Sequence, residues 1–371
     1  MPETHQEPPL TGIRIVEFAG LGPVPLAGMI LADLGADLLR VQRVGRAELD
    51  VIPPDQRDAV LRGRRIVRVD LADPVANRQV GELIDRADVV IEGFRPGTME
   101  RLGFGPEIRC AANRGLVYAR MTGWGQQGPA AQTAGHDINY LSVTGALNAI
   151  GRRDDPPAVP LNLIGDYAGG SMFLVTGILA ALLERGRSGR GQVIDSAMVD
   201  GVSALLQPVL SWRAVGQWTD ERESNLLDGA APFYATYECA DGRYVAVGAI
   251  ENRFYAELVD GLDLDIAELP DRADRRSWPR LRELFAATFA QRTRDEWTAV
   301  FRGTDACVTP VLTFDEAAAD PQLAARRTLN RDHGNLESSP APRFSRSGQG
   351  AGATAVEIDI AEALRDWPAG R

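Results

Sequence analysis

Apolar positions in the first third of the chain change repeatedly between a strand-like period of two and a helix-like period. The predicted strands cover residues 13–18, 37–41, 65–70, 88–92 and 116–121. The predicted helices cover residues 26–34 and 74–86, and the segments 19–25 and 44–63 are predicted loops. Strands that alternate with helices predict an α/β domain with a mostly parallel, Rossmann-like sheet, in which ligands bind at the carboxyl ends of the strands.

The middle of the chain is more helical. Apolar residues at 140–150 and 171–184 have helical spacing, and a loop rich in proline and arginine separates them at 151–163. Beyond a glycine turn, residues 193–215 predict a strand followed by a long helix. We include all these elements in a large first domain, which is predicted to cover residues 1–216.

A polar segment at 217–228 is the predicted linker to a second domain. Strands at 233–239 and 243–249 flank Asp241 and Gly242, a pair that favours a tight β-hairpin turn. Two helices and one more strand are predicted at 278–290, 293–302 and 308–312. The prediction is therefore a smaller α+β domain and a C-terminal segment, at 229–330 and 331–371.

Composition narrows the class of protein. Apolar residues make up 44% and charged residues 25% of the 371 residues, as is ordinary for a soluble globular protein. The formal net charge of −11 argues against nucleic acid as a partner. No apolar run reaches the roughly 18 residues that span a bilayer, and the polar N-terminus lacks a signal-peptide core. We therefore expect a cytoplasmic protein with no membrane partner.

The chain contains no lysine, so all 40 basic residues are arginines. The absence of a lysine amine excludes Schiff-base chemistry, including that of pyridoxal phosphate, and a Walker A loop. The three cysteines are far apart and form no CxxC motif, which argues against a zinc ribbon or a disulfide framework. His5 and His333 lie in polar terminal segments and only His136 lies between patterned elements, so no metal site is expected.

His136 stands where a strand and a glycine-rich loop lead into a predicted helix. Its neighbour Asp137 is a carboxylate, and Asp166 and Glu251 also stand at the starts of predicted helices. Histidine has an unperturbed pKa of about 6.5, so an imidazole among carboxylates suits proton transfer near neutral pH. The alternative is structural, because aspartate is a favoured N-cap residue and these side chains would then only cap helices.

Arginines near the predicted strand ends suit an anionic ligand. Arg43 follows the second strand, where a dinucleotide-binding fold would have an acid, and Arg95 and Arg101 follow the fourth strand. Arg43 fits a ribose phosphate, as in NADP or coenzyme A, or is simply a surface residue. Gly20 and Gly22 lack the third glycine of the dinucleotide fingerprint, which argues against a redox protein that binds NADP.

Several short strings, in order along nearly the whole chain, resemble the family III CoA transferases, and among these most closely the racemase branch. The strings are 12–17 (GIRIVE), 34–37 (LGAD), 93–97 (GFRPG), 121–126 (MTGWGQ), 135–140 (GHDINY), 165–166 (GD), 191–193 (GQV), 247–251 (VGAIE) and 341–343 (APR). Each string alone is weak evidence, but together they are specific to this family.

The resemblance implies an acyl-CoA substrate, no separate cofactor and a role in lipid metabolism. It implies a Rossmann-like large domain, to which residues 331–371 return, plus a smaller α+β domain, in an interlocked homodimer that shares its active sites. The positions that fall on ligand-contacting residues of the family are Arg43, Val69, Asp70, Leu71, Gly93, Phe94, Arg95, Arg101, Gly135, Ile138, Asn139 and Tyr140. Ala72 stands where the family often has a lysine, so nearby arginines would have to replace one phosphate contact.

The resemblance also implies catalytic roles. His136 and Asp166 fall on the two opposing bases of the racemases, and Glu251 falls on the carboxylate that partners the histidine from the other chain. Such enzymes interconvert (R)- and (S)-2-methylacyl-CoA by removing the α-proton and returning one to the opposite face. The alternative is a CoA transferase in which Asp137 forms an acyl-enzyme intermediate. Transferases of the family usually carry an aromatic residue where this chain has His136, which favours a racemase.

Overall fold

The computed structural model describes residues 7–45, 58–332, 334–350 and 352–368. These residues form two compact units, taken here as far as they are described. Unit 1 comprises the described residues within 1–144, 160–205 and 339–371, and unit 2 comprises those within 145–159 and 206–338. His5, His333 and residues 46–57 of the predicted loop lie outside the described residues.

Strands are numbered in chain order. They are β1 (Arg14–Phe18), β2 (Asp37–Arg43), β3 (Arg64–Val69), β4 (Val89–Glu92), β5 (Val117–Thr122), β6 (Val193–Ala197), β7 (Tyr234–Glu238), β8 (Tyr244–Gly248), β9 (Val308–Pro310), β10 (Leu329–Asp332), β11 (Asn335–Ser338) and β12 (Val356–Glu357).

Helices follow the same convention. They are α1 (Pro23–Asp33), α2 (Pro74–Asp85), α3 (Thr98–Arg101), α4 (Pro106–Ala112), α5 (Asp137–Thr144), α6 (Met172–Ser188), α7 (Met198–Leu205), α8 (Gln207–Ala214), α9 (Asn252–Gly261), α10 (Trp278–Phe289), α11 (Arg294–Phe301), α12 (Phe314–Ala319), α13 (Pro321–Ala325) and α14 (Ile360–Asp366). A π-helical segment, Leu163–Ser171, leads directly into α6.

Unit 1 is built around a seven-stranded sheet in the order β12-β3-β2-β1-β4-β5-β6. Every neighbouring pair is parallel, which confirms the predicted α/β class with a large parallel sheet. The strand order reverses between β1 and β4. In sheets of this kind the ligand crevice opens beyond the carboxyl ends of the strands at that reversal.

Both faces of the sheet are covered, which explains the nearly continuous apolar runs of its strands. Along β1, Ile15 belongs to a buried cluster with Leu31 and Ile178 of two helices. The next residue, Val16, belongs to a second cluster with Leu83 on the opposite face. Burial of each such side chain stabilises the fold by roughly 1.5–3 kcal/mol, so the sheet rigidly positions the loops at its edge.

A buried ionic cluster fixes the loop between β1 and α1. The Glu17 carboxylate is fully buried and forms ion pairs with Arg40 and Arg64. Arg64 also donates to the carbonyl oxygen of Pro25, and Arg40 donates to that of Gly20 at 3.4 Å. These contacts fix Gly20 within the loop and the first turn of α1 that follows it.

Unit 2 contains the three-stranded antiparallel sheet β7-β8-β9 and an aromatic core. Strands β7 and β8 pair on either side of Asp241 and Gly242, so the predicted hairpin is confirmed. Gly242 has a φ of 72°, the left-handed conformation that glycine adopts at little cost. In the core, the rings of Tyr237 and Phe289 stack with centroids 5.0 Å apart.

Three local predictions are wrong. Helix α1 begins at Pro23 rather than at Leu26, because the first helical turn tolerates proline, which lacks an N–H that would have no partner there. The long helix predicted to reach residue 215 is two helices, since Pro208 cannot donate a hydrogen bond to continue α7 past Leu205. Asp166 does not precede a helix but lies inside the π-helical segment.

The boundaries of the two units differ from the predicted domain boundaries. The central segment of unit 1 ends at Leu205, whereas the predicted first domain extends to residue 216. Residues 145–159 belong to unit 2. Arg152 forms an ion pair with Glu223, which ties this early segment to the predicted linker. Such a bond between residues about seventy positions apart has no local sequence pattern.

The π-helical segment and α6 form one continuous helix of 26 residues, Leu163–Ser188. Its mean hydropathy reaches 1.5 over an 18-residue window, so the expectation that no apolar run is long enough to span a bilayer is wrong. A core helix meets the same criteria of length and composition, and 39% of that window is buried within the fold. Leu174, Val175 and Ile178 of this helix belong to the core of unit 1.

Candidate active site

His136 is the residue before α5. Its backbone N–H donates to Oδ1 of Asn139 at 3.0 Å, and its carbonyl oxygen accepts the N–H of Asn139 at 2.8 Å. The Asn139 side chain therefore caps the N-terminus of α5 by accepting the backbone N–H of His136, as the third residue of a capping box does. The cap uses only the backbone of His136, and the residue is exposed to solvent.

Asp137 is the first residue of α5, yet its carboxylate bonds to a different segment. The residue is 7% exposed, and its Oδ2 accepts the backbone N–H of Asp166 at 2.8 Å. Gly165 makes this approach possible, because a Cβ atom there would overlap the Asp137 carboxylate. The interpretation of Asp137 as a cap for its own helix is therefore wrong.

Asp166 lies within the π-helical segment, a rare conformation that is frequent at functional sites. Its half-buried carboxylate accepts a hydrogen bond from Nδ2 of Asn162 at 3.2 Å. Burial raises the pKa of Asp166 and the charge of Asp137 raises it further, whereas Asn162 and the charge of His136 oppose the rise. Asp137 follows His136 in the chain, so its bond to the Asp166 amide brings the segments that carry these two side chains together. We term His136, Asp137 and Asp166 the helix-start cluster.

One loop approaches the helix-start cluster closely, and another packs on α5, the helix that begins there. Gly22 has a φ of 65°, and a Cβ atom added to it would lie 2.9 Å from Oδ2 of Asp166. Tyr140 packs edge-on against Trp124 with ring centroids 4.9 Å apart. Burial and the charges of Asp166 and Asp137 raise the pKa of Tyr140 to about 12, so its hydroxyl stays protonated at neutral pH.

The first turn of α5 presents backbone donors beside the helix-start cluster. Within the described part of the chain, the N–H groups of Asp137 and Ile138 have no hydrogen-bond partner. Helix N-termini attract anionic oxygen atoms, so these donors suit a negatively charged group. Among the described residues, no group of three or more His, Cys, Asp or Glu could hold a metal ion.

A second set of predicted residues follows the carboxyl ends of three adjacent parallel strands, which meet at one edge of the sheet. Arg43 is the last residue of β2, Val69 ends β3, and Gly93 follows β4. We term the whole set the carboxyl-edge surface, comprising Arg43, Val69, Asp70, Leu71, Gly93, Phe94, Arg95 and Arg101. The reversal of strand order between β1 and β4 opens onto this same edge.

The arginines of the carboxyl-edge surface are exposed and make few contacts with the residues that the structure describes. Arg43 and Arg95 make no side-chain hydrogen bond or ion pair with any residue that the structure describes. Arg101 donates to the hydroxyl of Thr98 at 3.0 Å. Exposed guanidinium groups at strand ends suit a ligand rich in phosphate.

Other members of this surface also stabilise the fold. The N–H of Phe94 donates to the Glu92 carboxylate at 2.7 Å, and burial raises the pKa of Glu92. Asp70 accepts the N–H of Ala72 at 3.0 Å, and Val69 is buried. These residues therefore shape the turns on which the exposed arginines lie.

Glu251 lies in unit 2, whereas the helix-start cluster lies in unit 1. It precedes α9, is exposed, and makes no side-chain hydrogen bond to that helix. Arg272 holds the turn on either side of it. The guanidinium donates to the carbonyl oxygens of Ala249 at 3.3 Å and Ile250 at 2.7 Å, and to Oδ1 of Asn252 at 2.7 Å.

A cavity of about 790 Å³ lies elsewhere in unit 2. It is bordered by β7, β8 and residues 151–158, and its lining includes Tyr234, Thr236 and Cys307. None of the predicted site residues lines it. The geometry of the side chains in unit 1, rather than this cavity, therefore defines the candidate site.

Comparison with known proteins places the chain in a family. The sequence matches CoA-transferase family III over residues 10–353. The chain belongs to this family. It is 46% identical to alpha-methylacyl-CoA racemase of Mus musculus over 339 residues, which cover 91% of this chain and 87% of the relative.

Two further family members support the match. Alpha-methylacyl-CoA racemase of Homo sapiens is 44% identical over 334 residues, covering 90% of this chain and 86% of the relative. The crystal structure of a CAIB/BAIF family protein from Brucella suis has a TM-score of 0.82 at 26% identity, covering 98% of this chain and 100% of that chain. The fold of this CoA-transferase family III member thus agrees with the resemblance in its sequence.

Sequence patterns do not reveal three residues that shape the site in this family III member. Asn162 lies four residues before Asp166, a spacing that places side chains on one helical face, but the local composition predicts a loop there. Gly165 carries no sign of its contact with Asp137. Arg272 bonds to residues 20 to 23 positions away, so no local pattern reveals it.

Proposed function

We propose that the protein is a cofactor-independent α-methylacyl-CoA racemase that interconverts (R)- and (S)-2-methylacyl-CoA. The helix-start cluster carries this proposal, because the exposed His136 adjoins Asp137, whose carboxylate bonds to the backbone of the half-buried Asp166. Racemisation at one carbon needs two such groups, one to remove the α-proton and one to return a proton to the opposite face. Identities of 46% and 44% to two racemases support the same activity.

Each turnover uses His136 and Asp166 in opposite protonation states. The deprotonated group takes the α-proton of the thioester, and the protonated group delivers a proton to the other face of the enolate. The raised pKa of Asp166 suits this exchange, because proton transfer is most efficient when the pKa of the group lies near the working pH. The N–H groups of Asp137 and Ile138 bind the developing enolate oxygen, as donors of an oxyanion hole do.

The carboxyl-edge surface is the proposed site for the coenzyme A part of the substrate. Arg43, Arg95 and Arg101 bind its phosphates, since a chain without lysine must use arginine or backbone N–H groups for anions. Arginine presents a planar fork of donors that fits phosphate oxygens. In this arrangement the arginines supply the phosphate interaction that the methyl side chain of Ala72 cannot make.

We further propose an interlocked homodimer in which Glu251 of one chain lies beside His136 of the other. Glu251 then fixes the imidazole tautomer and stabilises the imidazolium, as the third member of a catalytic triad does. Its exposed carboxylate, which caps no helix, supports this role because it is available to another chain. We propose that the reaction uses no separate cofactor, since coenzyme A is part of the substrate. We also assign the enzyme to the cytoplasm.

A CoA transferase with Asp137 as nucleophile is the second candidate within the family. Such an enzyme needs a carboxylic acid to accept CoA, whereas a racemase needs none. The burial of Asp137 and its bond to the backbone of Asp166 argue against an attack on the acyl group.

Proton NMR in D₂O tests the proposal. A single epimer of a 2-methylacyl-CoA is incubated with the enzyme, without an acceptor acid or an added cofactor, and an enzyme-free sample is the control. The expected result is loss of the α-proton signal together with the appearance of the other epimer. A stable epimer that releases CoA to an added carboxylic acid would identify a transferase instead.

A further inference from the structure

We infer that Asp137 is a positioning residue whose buried carboxylate holds the backbone of Asp166, and that it does not act as a nucleophile. This inference rests on the proposed racemase function, because it assigns Asp166 as one of the two bases. The role of Asp137 thus differs from the roles of His136 and Asp166, whose side chains contact the substrate in that mechanism.

The contact between Asp137 and Asp166 is specific and shielded from water. Oδ2 of Asp137 lies 2.8 Å from the amide nitrogen of Asp166, a short distance typical of a charge-assisted hydrogen bond. The bond crosses 29 residues and joins the first turn of α5 to the π-helical segment. Gly165 packs directly on the same carboxylate, so one face of Asp137 is covered by backbone.

The bond between Asp137 and the Asp166 amide stabilises the π-helical segment within its first turn. A π-helical turn leaves the regular α-helical hydrogen-bond pattern, and Asp137 supplies an acceptor to one amide of that turn. The Asp166 side chain begins at the same residue, so the bond fixes the position from which this base reaches the substrate. A misplacement of about 1 Å at such a site lowers a rate by roughly a hundredfold.

The charge of Asp137 has a second effect on Asp166. Two nearby carboxylates resist simultaneous ionisation, which favours the protonated form of Asp166. Two groups instead lower the pKa of Asp166, namely the Asn162 amide and the His136 imidazole. The remaining acids on the elements packed against the segment lie on four elements. They are Asp33 of α1, which is paired with Arg62, Glu184 of α6, which accepts a hydrogen bond from the Ser188 hydroxyl, and the exposed Asp195 of β6 and Asp200 of α7.

A nucleophile needs a free oxygen directed at the acyl carbon. In this structure the Asp137 carboxylate is buried, holds an amide N–H and lies under Gly165. An attack would require the carboxylate to release the Asp166 amide and leave it without an acceptor. An unsatisfied buried donor of this kind costs about 1–3 kcal/mol.

Two substitutions of Asp137 separate its hydrogen bond from its charge. Asp137→Asn keeps an acceptor oxygen and removes the charge, so the structure of the segment is retained. The pKa of Asp166 then falls, and the pH at which exchange through Asp166 is half-maximal moves to lower pH. Asp137→Ala removes the acceptor as well and lowers kcat by about 10- to 100-fold.

Two further variants keep the test independent of folding. Gly165→Ala pushes the Asp137 carboxylate away from the segment, and we expect it to lower kcat as Asp137→Ala does while leaving KM nearly unchanged. Asp359→Asn is the matched control, because Asp359 also bonds to a backbone N–H at a helix start of unit 1, on α14. Its pH profile and rate should equal those of the unchanged enzyme.

The outcomes distinguish the inference from the proposed function. If the unchanged enzyme exchanges no α-proton, the racemase proposal fails. If it does exchange, but Asp137→Asn has an unmoved pH profile and Gly165→Ala retains full kcat, only the positioning role fails. A hydroxamate at Asp137 would also overturn the inference. Hydroxylamine would form it by attacking the carbonyl carbon of an activated Asp137 ester during turnover of acyl-CoA, with release of the acid or of CoA, and peptide mass spectrometry would detect it.

Discussion

The helix-start cluster and the carboxyl-edge surface belong to the same unit but hold their side chains in opposite ways. In the helix-start cluster, Asp137 is buried against the Asp166 amide, and Gly22 and Gly165 admit neighbours closer than a Cβ atom would allow. On the carboxyl-edge surface, Arg43 and Arg95 are exposed and make no ion pair within the described residues. The side chains of the first region are fixed by their contacts, whereas the second region presents exposed charged groups.

This difference predicts how each region responds to change. Groups that transfer protons must lie within hydrogen-bond reach of the reacting atom, so small displacements have large effects. Exposed cations interact with phosphate through water and mobile side chains, so each contributes little by itself. Substitutions in the helix-start cluster should therefore lower kcat strongly, whereas those on the carboxyl-edge surface should raise KM modestly.

The largest effect is expected from Gly22→Ala. The new Cβ would lie 2.9 Å from Oδ2 of Asp166, and alanine is also strained at a φ of 65°. We expect kcat to fall about 10- to 100-fold in a steady-state assay of racemisation. Gly189→Ala is the control, because its φ of 70° carries the same strain with nothing within 4 Å. Equal losses in both variants would mean that strain alone, and not the approach to Asp166, matters.

The next effect concerns Arg272, which holds the turn that carries Glu251. Its guanidinium lies 4.8 Å from the ring centroid of Phe233 and 4.5 Å from that of Tyr255. Arg272→Gln should lower kcat by about tenfold, which corresponds to the loss of one charge-assisted hydrogen bond.

The Arg272 prediction is sharpened by a double variant measured in the same assay. If Arg272 acts through Glu251, adding Arg272→Gln to Glu251→Gln should cause little further loss. Arg275→Gln is the control, since Arg275 also lies over an aromatic ring and donates to a backbone carbonyl in unit 2. Losses that multiply in the double variant would contradict a role through Glu251.

A smaller effect, with a defined direction, is expected for Asn162→Ala. The hydrogen bond from Asn162 lowers the pKa of Asp166, so its removal raises that pKa. Exchange through deprotonated Asp166 should then reach half-maximum at higher pH, opposite to the shift expected for Asp137→Asn. The rate at the optimum should fall roughly fivefold, the effect of losing one hydrogen bond. A shift of the half-maximal point to lower pH would refute the role assigned to Asn162.

The smallest effects are expected on the carboxyl-edge surface. Arg43→Ala and Arg95→Ala should each raise KM for acyl-CoA about two- to tenfold without changing kcat, and added salt should weaken the difference because it screens exposed charges. Arg68→Ala is the control, since Arg68 is exposed but already paired with Glu357. An unchanged KM in the double Arg43 and Arg95 variant would remove this surface from the coenzyme A site.

The sequence predicts unit 1 better than it predicts the contacts of the candidate site. Strands such as β1 are buried on both faces and bounded by glycine or polar residues, so a local pattern identifies them. The bond between Asp137 and Asp166 joins residues 29 positions apart, and the π-helical segment departs from the period of 3.6 on which helix prediction depends. The roles of His136, Asp166 and Glu251 follow from a family resemblance, because periodicity alone assigns them equally well to helix caps.

In the proposed mechanism, His136 and Asp166 act on opposite faces of one carbon. Its most direct test is proton exchange in D₂O, measured by NMR for each single epimer of a 2-methylacyl-CoA with His136→Ala and with Asp166→Asn. Reciprocal results are expected: both variants lose racemisation, each retains exchange of one epimer, and the retained epimers differ. Equal exchange of both epimers by both variants, or loss of the same epimer in both, would contradict it.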